Sequence, residues 1–176
     1  MIRRLVLIAA ATLAMAGAAR AEVTDRSPAG FEIQRVLQIA APRAKVWEAL
    51  LQPARWWEPS HSWTGNAANL SMDFERECFC ETLPKGRARH MAIVYSDGEK
   101  ALRLFGGLGP LQFTGASGHL RFDLADVAAG GTRLTLTYSV GGYAKGGLAE
   151  AWAAPVDGVL GVQTERLKRY VETGTP

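Results

Sequence analysis

The chain has few of the residue types, and none of the spacings, that mark the commonest catalytic and metal sites. Its 176 residues include only two cysteines and three histidines. It contains no Gly-x-Gly-x-x-Gly in a strand–helix context, no Gly-Lys-[Ser/Thr] loop, no His-Glu-x-x-His and no Gly-x-Ser-x-Gly motif. The glycine clusters at residues 105–110 and 141–147 are therefore interpreted as turns. We expect no cofactor and no metal.

The chain also lacks a surplus of positive charge once its first 21 residues are set aside. Lys and Arg together number 20, and Asp and Glu number 17. Arg3, Arg4 and Arg20 lie in that first segment, which carries no acidic residue, so 17 basic and 17 acidic residues remain. Nucleic acids and anionic membranes both select a basic surface. The sequence therefore predicts no nucleic-acid or anionic-membrane partner, and because no second apolar run of spanning length follows, it predicts no stable membrane insertion after signal cleavage.

Residues 1–21 have the pattern of a signal peptide. Arg3 and Arg4 precede an uncharged apolar run at residues 5–16, and small residues occupy positions 19 and 21. The run is shorter than the roughly 20 apolar residues that span a bilayer. We expect cleavage after Ala21 and a periplasmic or secreted protein.

The hydrophobic periodicity of the remainder predicts a single α+β domain at residues 31–173, preceded by a flexible lead-in at 22–30. A first strand at 31–39 is followed by two short helices that begin near Pro42 and Pro53. Period-two alternation then continues to Val140. A helical pattern at 146–172 would be roughly 40 Å long. We expect a curved antiparallel sheet of about six or seven strands that grips the long helix.

Two stretches carry a family resemblance. They are IAAPRAKVWEAL at 39–50 with the following Pro53 and Trp57, and the ending that runs from GGT at 130–132 through YSVGG at 138–142 to Gln163 and Leu167. Together they resemble the START-like superfamily, also called SRPBCC or Bet v 1-like, whose fold is the helix-grip. The resemblance covers about residues 31–172 and is nearest to the polyketide-cyclase and Hsp90-ATPase-activator-like branches. It implies a cavity between sheet and helix, but no catalytic position, because the superfamily shares no universal catalytic residue.

Cys78-Phe79-Cys80 allows three interpretations. Residues two apart in a strand point to the same face, so the cysteines are most simply two small buried side chains. They could also form a redox-active disulfide in an oxidising compartment, or bind a soft metal together with His90 or His61.

The strand that contains these cysteines also has an uncertain register. A bulge near residues 76–77 would turn Phe79 and Glu81 inward in place of the cysteines. Glu81 against apolar walls would have a raised pKa and could serve as an acid or base. On the outer face it would be an ordinary surface charge.

The remaining polar candidates are two histidines. His61 lies in WWEPSHSW at 56–63, where Trp57 and Trp63 could form an aromatic gate over a cavity or simply pin a loop to the core. His90 falls in a predicted strand among small neighbours and could either enter the cavity or be a hydrogen-bonded core histidine.

Two functions follow from these predictions. The favoured one is a protein that binds a hydrophobic or amphipathic small molecule in the cavity. The alternative is a cyclase or hydratase with Glu81, His90 or His61 as proton carriers. The oligomeric state stays open. The expected ligand-binding residues are Trp57, His61, Trp63, Met72, Phe74, Cys78, Cys80, His90, Leu104, Phe122, Tyr138, Trp152 and Val156.

Overall fold

The computed structural model describes residues 21–176, so nearly all of the predicted signal peptide lies outside the described residues. The fold is α+β, with one open antiparallel sheet and a long carboxy-terminal helix. Its elements are β1 Ala21–Ser27, β2 Gly30–Ile39, α1 Arg43–Leu50, β3 Leu70–Asp73, β4 Cys78–Leu83, β5 Gly86–Asp97, β6 Ala101–Gly106, β7 Gly115–Val127, β8 Gly131–Tyr143 and α2 Leu148–Thr173.

The sheet has eight strands in the order β1-β2-β8-β7-β6-β5-β4-β3, which is more than the six or seven predicted. One additional strand is β1, which pairs with β2 from Ala21↔Arg35 to Ser27↔Gly30 where the sequence predicts a flexible lead-in. The other arises because residues 70–83 form a hairpin rather than one strand. Glu77 in its turn has a φ of 51°, a conformation that few non-glycine residues adopt.

The helices near the amino-terminal end of the domain follow the predicted order with one change of type. Pro42 immediately precedes α1, as expected. The second predicted helix is a single 3-10 turn at Pro53–Arg55, and two more such turns follow at Pro59–His61 and Ala67–Asn69. The buried Trp56 fastens this loop to α1 through a 2.8 Å hydrogen bond from Nε1 to the carbonyl of Ala49.

The core forms where α2 packs on one face of the sheet, against β1, β2 and β8. Alternate residues of the long strands point to this face, and Leu104, Phe122 and Tyr138 are among those that fill it. The helix buries one stripe and ends at Gly174 in the left-handed conformation, a common helix stop. No helix within residues 21–176 has both the length and the apolarity needed to cross a bilayer.

An ion pair fastens α2 to the sheet. Arg35 of β2 points to the core side, where its Nη2 donates to the Asp157 carboxylate at 2.8 Å and to the Asp157 carbonyl at 2.7 Å. The guanidinium lies against Gly161, because a Cβ built on Gly161 would be only 2.6 Å from Nη2. Glycine at this helical position therefore leaves room for the arginine.

Candidate functional site

A pocket of about 250 Å³ lies between α2 and the edge of the sheet formed by β5, β4 and β3. Its walls come from the first half of α2, the loop at 57–63, strands β3, β4 and β5, and the turn at 108–111. Its lining residues are mostly apolar: Trp57, Ser60, His61, Ser62, Trp63, Leu70, Phe79, His90, Leu108, Gly109, Pro110, Leu111, Trp152, Pro155, Val156 and Val159. We call this space the pocket.

Tyr138 holds one wall of the pocket in place. Its hydroxyl donates to the carbonyl of Gly106 at 3.0 Å and accepts from the N–H of Leu108 at 3.1 Å. Burial raises the pKa of Tyr138 to about 12, so the phenol stays neutral and keeps both bonds. The tyrosine therefore positions Leu108 without lining the pocket itself.

His90 reaches the pocket because β5 contains a bulge. Phe79 pairs with Met91 and Cys80 pairs with Arg89, so His90 has no partner in the β4–β5 register. A bulge interrupts the alternation of a strand and re-aims a side chain. As a result, both His90 and the adjacent Met91 are buried.

Glu81 lies directly behind His90 and is fully buried. Its carboxylate accepts from the N–H of Trp63 at 3.0 Å, from the N–H and the hydroxyl of Thr64 at 2.7 Å each, and from His90 Nε2 at 2.9 Å. Burial by itself would raise the pKa of Glu81, but these hydrogen bonds outweigh it and hold the pKa below its ordinary value. Glu81 is therefore an ionised acceptor.

His90 is the neutral partner of this pair. Burial lowers its pKa more than the hydrogen bond and the charge of Glu81 raise it. Because an ionised carboxylate only accepts hydrogen bonds, Nε2 of His90 carries the proton and Nδ1 carries the lone pair. Nδ1 is buried and has no hydrogen-bond partner within residues 21–176. A base with an unused acceptor thus borders the pocket.

His61 is held in the same Nε2–H tautomer as His90, but the nitrogen that it leaves free is the donor rather than the acceptor. The side-chain oxygen of Gln163 accepts from the N–H of Glu58 at 2.8 Å, which leaves the Gln163 amide NH₂ to donate to His61 Nδ1 at 2.8 Å. With Nδ1 as an acceptor, the proton of neutral His61 resides on Nε2. The pocket is therefore bordered by one histidine acceptor and one histidine donor.

Aromatic rings form much of the rest of the boundary. Trp63 stacks with His90 at a centroid distance of 6.4 Å and contacts the exposed Phe113 at 5.5 Å. Phe79 lies 5.1 Å from the His90 ring and 5.2 Å from the Trp57 ring. Such contacts favour the binding of another flat apolar molecule.

The structure brings six of the expected ligand-binding residues to the pocket: Trp57, His61, Trp63, His90, Trp152 and Val156. The other seven do not line it. The core contains Leu104, Phe122 and Tyr138, whose side chains are buried outside the pocket lining. Met72 is only half-buried, and Phe74 lies in the exposed hairpin turn. Of the acid–base candidates, His61 and His90 line the pocket and Glu81 supports His90.

Cys78 and Cys80 are joined in a disulfide, in place of the favoured pair of free buried thiols. Both are buried beside Phe79, and neither lines the pocket. Since both sulfurs are used in the bond, they cannot serve as thiolate ligands. Within the described residues, no group of three or more His, Cys, Asp or Glu side chains comes together.

Several residues of the site were missed from the sequence. Gln163 was assigned only to the buried stripe of α2, although a buried amide on such a stripe needs polar partners and so signals a contact. The glycine cluster at 105–110 predicts only a turn, whereas the structure forms a 3-10 turn at Gly109–Phe113 whose first residues line the pocket. Pro155 lies inside α2 and lines the pocket, and an internal proline could have marked this turn of the helix as unusual.

Comparisons with known proteins show a shared fold only. No family model matches the chain, and no curated protein matches it. Solved structures do match. A conserved protein of unknown function from Enterococcus faecalis shares 17% identity with a TM-score of 0.56, over 90% of this chain and 80% of that one.

Two further structures give the same result. CalU16 from Micromonospora echinospora shares 15% identity with a TM-score of 0.55, over 90% of this chain and 86% of that one. An uncharacterised protein from Rhizobium leguminosarum shares 16% identity with a TM-score of 0.55, over 81% of this chain and 96% of that one. The α+β arrangement is thus similar to that of these solved structures, and it is compatible with a helix-grip fold. Their sequence identity to this chain is too low to indicate a shared activity.

Proposed function

We propose that this protein is an exported helix-grip protein of the START-like type that binds a small hydrophobic or amphipathic molecule in the pocket. The observation that carries the proposal is the pocket itself, which has apolar and aromatic walls. Two histidines lie at its edge, one with a free acceptor nitrogen and the other with a free N–H donor. Sites for organic ligands combine mostly apolar walls with a few placed polar groups.

The volume of the pocket limits its occupant. A cavity of about 150 Å³ can hold benzene, and drug-sized ligands occupy about 300–1,000 Å³. At about 250 Å³, the pocket is suited to one substituted ring or a short branched chain. A multi-ring polyketide or a long-chain lipid would need the walls to move.

Export is supported by two independent features. Residues 1–21 carry the arginine, apolar and small-residue pattern of a signal peptide. The Cys78–Cys80 disulfide is of a kind that persists outside the reducing cytoplasm.

The test is a titration of the protein, expressed from the full chain and recovered after export, with toluene and 4-ethylphenol, followed by tryptophan fluorescence and native mass spectrometry. Val159→Trp places an indole in the pocket and should abolish binding. Val162→Trp, on an exposed position of the same helix, is the matched control and should bind like the wild type. Equal binding by both variants would place the ligand elsewhere and end the proposal.

The Glu81–His90 pair favours a second candidate, an enzyme of the cyclase or hydratase type. A carboxylate that orients a neutral imidazole is a common arrangement for general-base catalysis. His90 would take a proton from the substrate, and the Nε2–H of His61 would donate to an oxygen on which negative charge develops.

Proton abstraction can be measured directly. The wild type should speed the exchange of the α-hydrogens of phenylacetone for deuterium, as followed by NMR, and Glu81→Gln and His90→Gln should lose most of the acceleration. If the wild type exchanges no faster than buffer while toluene still binds, the enzymatic candidate fails and the binding proposal stands.

A further inference from the structure

We propose that the pocket selects neutral single-ring molecules that carry a hydroxyl group, the phenol class, through a hydrogen bond from that hydroxyl to Nδ1 of His90. This inference rests on the proposed function and specifies its ligand. Its starting point is an unsatisfied group: His90 is 5% exposed, borders the pocket, and its Nδ1 has no partner within residues 21–176.

The acceptor character of Nδ1 is fixed by the protein. Glu81 receives three other hydrogen bonds, two from backbone N–H groups and one from the Thr64 hydroxyl, so its carboxylate cannot leave the position in which it accepts from Nε2. The imidazole therefore keeps its proton on Nε2, and Nδ1 can only accept. A ligand that reaches His90 must offer an O–H or N–H donor, or leave the nitrogen unsatisfied at a cost.

The charges around the pocket favour a neutral ligand. Among residues 21–176, neither lysine nor arginine lines it, so none of them supplies a fixed cation to balance an anion. The carboxylate of Glu81, 2.9 Å behind His90, would repel an anion placed on the imidazole. The described part of the chain places no aspartate or glutamate in the lining either, so a cation would also be buried without a partner. A phenol presents a donor and a flat apolar ring without a charge.

The second histidine extends the match. His61 offers an Nε2–H because Gln163 donates to its Nδ1, and it lies in the same lining as His90. A ring with a hydroxyl at one end and a carbonyl at the other carries one hydrogen-bonding partner for each histidine. The fullest match within about 250 Å³ is thus a hydroxyaryl ketone or aldehyde.

The experiment compares three probes of similar size by calorimetric titration at about pH 7, where His90, whose pKa is lowered, is neutral and an acyl-substituted phenol is still mostly protonated. The probes are 4-hydroxyacetophenone, its methyl ether 4-methoxyacetophenone, and 4-hydroxybenzoate. The wild type should bind the phenol roughly tenfold more tightly than the ether, because one acceptor is left unsatisfied by the ether. It should bind the benzoate most weakly.

Two variants assign the discrimination to His90. His90→Phe keeps a ring and removes the acceptor, so the phenol and the ether should bind about equally. His119→Phe, on the exposed face of β7, is the matched control and should keep the full ratio. In the wild type, the ¹⁵N signal of His90 Nδ1 should shift with the phenol and not with the ether, which tests the contact even if His90→Phe does not fold.

Each remaining outcome decides the matter. Equal binding of phenol and ether by the wild type, or a ratio that persists in His90→Phe, overturns the inference and leaves the proposed function intact. Tightest binding of the benzoate overturns it as well. If none of these probes and neither toluene nor 4-ethylphenol binds, the proposed function itself fails, and this inference fails with it.

Discussion

Two polar pairs within residues 21–176, Arg35–Asp157 and Glu81–His90, serve different ends. Arg35–Asp157 joins β2 to α2, with side-chain exposures of 10% and 24%. Glu81–His90 joins β4 to β5, with exposures of 0% and 5%. Each pair leaves one nitrogen without a partner within residues 21–176, Nε of Arg35 and Nδ1 of His90.

What separates the pairs is whether the residue with the unpartnered nitrogen lines the pocket. Arg35 lies against the helix backbone at Gly161 and does not border the pocket, whereas His90 does. Arginine is charged at every ordinary pH, but histidine can change its charge or accept a proton. A buried charge alone therefore does not indicate a site. A side chain that lines a cavity and has unused hydrogen-bonding capacity does.

The largest expected effect is at Glu81. Glu81→Ala removes four hydrogen bonds at once and leaves the partly buried donors of Trp63 and Thr64 and the buried Nε2–H of His90 without their partner. Chemical denaturation should show a loss of roughly 3–5 kcal/mol in the free energy of unfolding. Glu165→Ala, at an exposed position of α2, should change it little. A loss below about 1 kcal/mol at Glu81 would mean that water replaces the carboxylate readily.

Asp157→Ala tests the other pair. It leaves the Arg35 guanidinium buried without its counter-charge, and the free energy of unfolding should fall by about 2–3 kcal/mol, less than for a fully buried pair because Asp157 is partly exposed. Binding of 4-ethylphenol to the folded variant should be unchanged, since Asp157 does not line the pocket. Loss of binding at full stability would show that the two pairs are not functionally separate.

Gly161→Ala and Gly158→Ala sharpen the distinction between helix propensity and packing. Both glycines lie inside α2, but a Cβ meets nothing within 4 Å at Gly158 and meets the Arg35 guanidinium at 2.6–2.8 Å at Gly161. Gly158→Ala should therefore raise the free energy of unfolding by up to about 1 kcal/mol. Gly161→Ala brings the same gain in helix propensity, but the cost of displacing the Arg35 guanidinium is larger. The free energy of unfolding should therefore fall by about 1–2 kcal/mol. Equal gains would show that Arg35 moves aside without cost.

The smallest expected effect is the pH dependence of folding stability that the Glu81–His90 pair produces. Burial lowers the pKa of His90 below its ordinary 6.5, so the unfolded chain takes up the proton first as the pH falls. The folded state therefore loses stability below pH 6.5. Glu81, whose lowered pKa stabilises the fold above its ordinary 4.5, adds a further loss at lower pH.

This pH dependence is checked by urea unfolding at several pH values. The wild type should lose more stability than His90→Phe between about pH 7 and pH 5. His119→Phe should follow the wild type. A flat profile, or one that rises as the pH falls, would show that His90 is not the group that takes up the proton.

The sequence predicts the long elements better than the short ones. Alternation identified the strand at 31–39 and the helix at 146–172 because one buried face runs along each of them. It missed β1, whose residues are mostly exposed, and it joined β3 to β4 because the turn between them contains no glycine or proline. The periodicity also could not identify Arg35, a charged residue at a core position, as the anchor of α2.

The site could be predicted only in part. The tryptophan-rich loop, His61 and His90 stand out in the sequence because they combine polar groups with large apolar surfaces, and they line the pocket. Their partners were not predictable, since Gln163 is 102 residues from His61. Leu104, Phe122 and Tyr138 were expected in the cavity, but close packing used their side chains to fill most of that space.

The unpaired position of His90 in the β4–β5 ladder has an evolutionary consequence. The scaffold and the imidazole are separable by one codon: deleting residue 90 would let the residues on either side pair with β4 without interruption, and the imidazole would be gone. Gain or loss of this side chain is therefore accessible through a single in-frame insertion or deletion. Distant proteins with the same architecture need not share it.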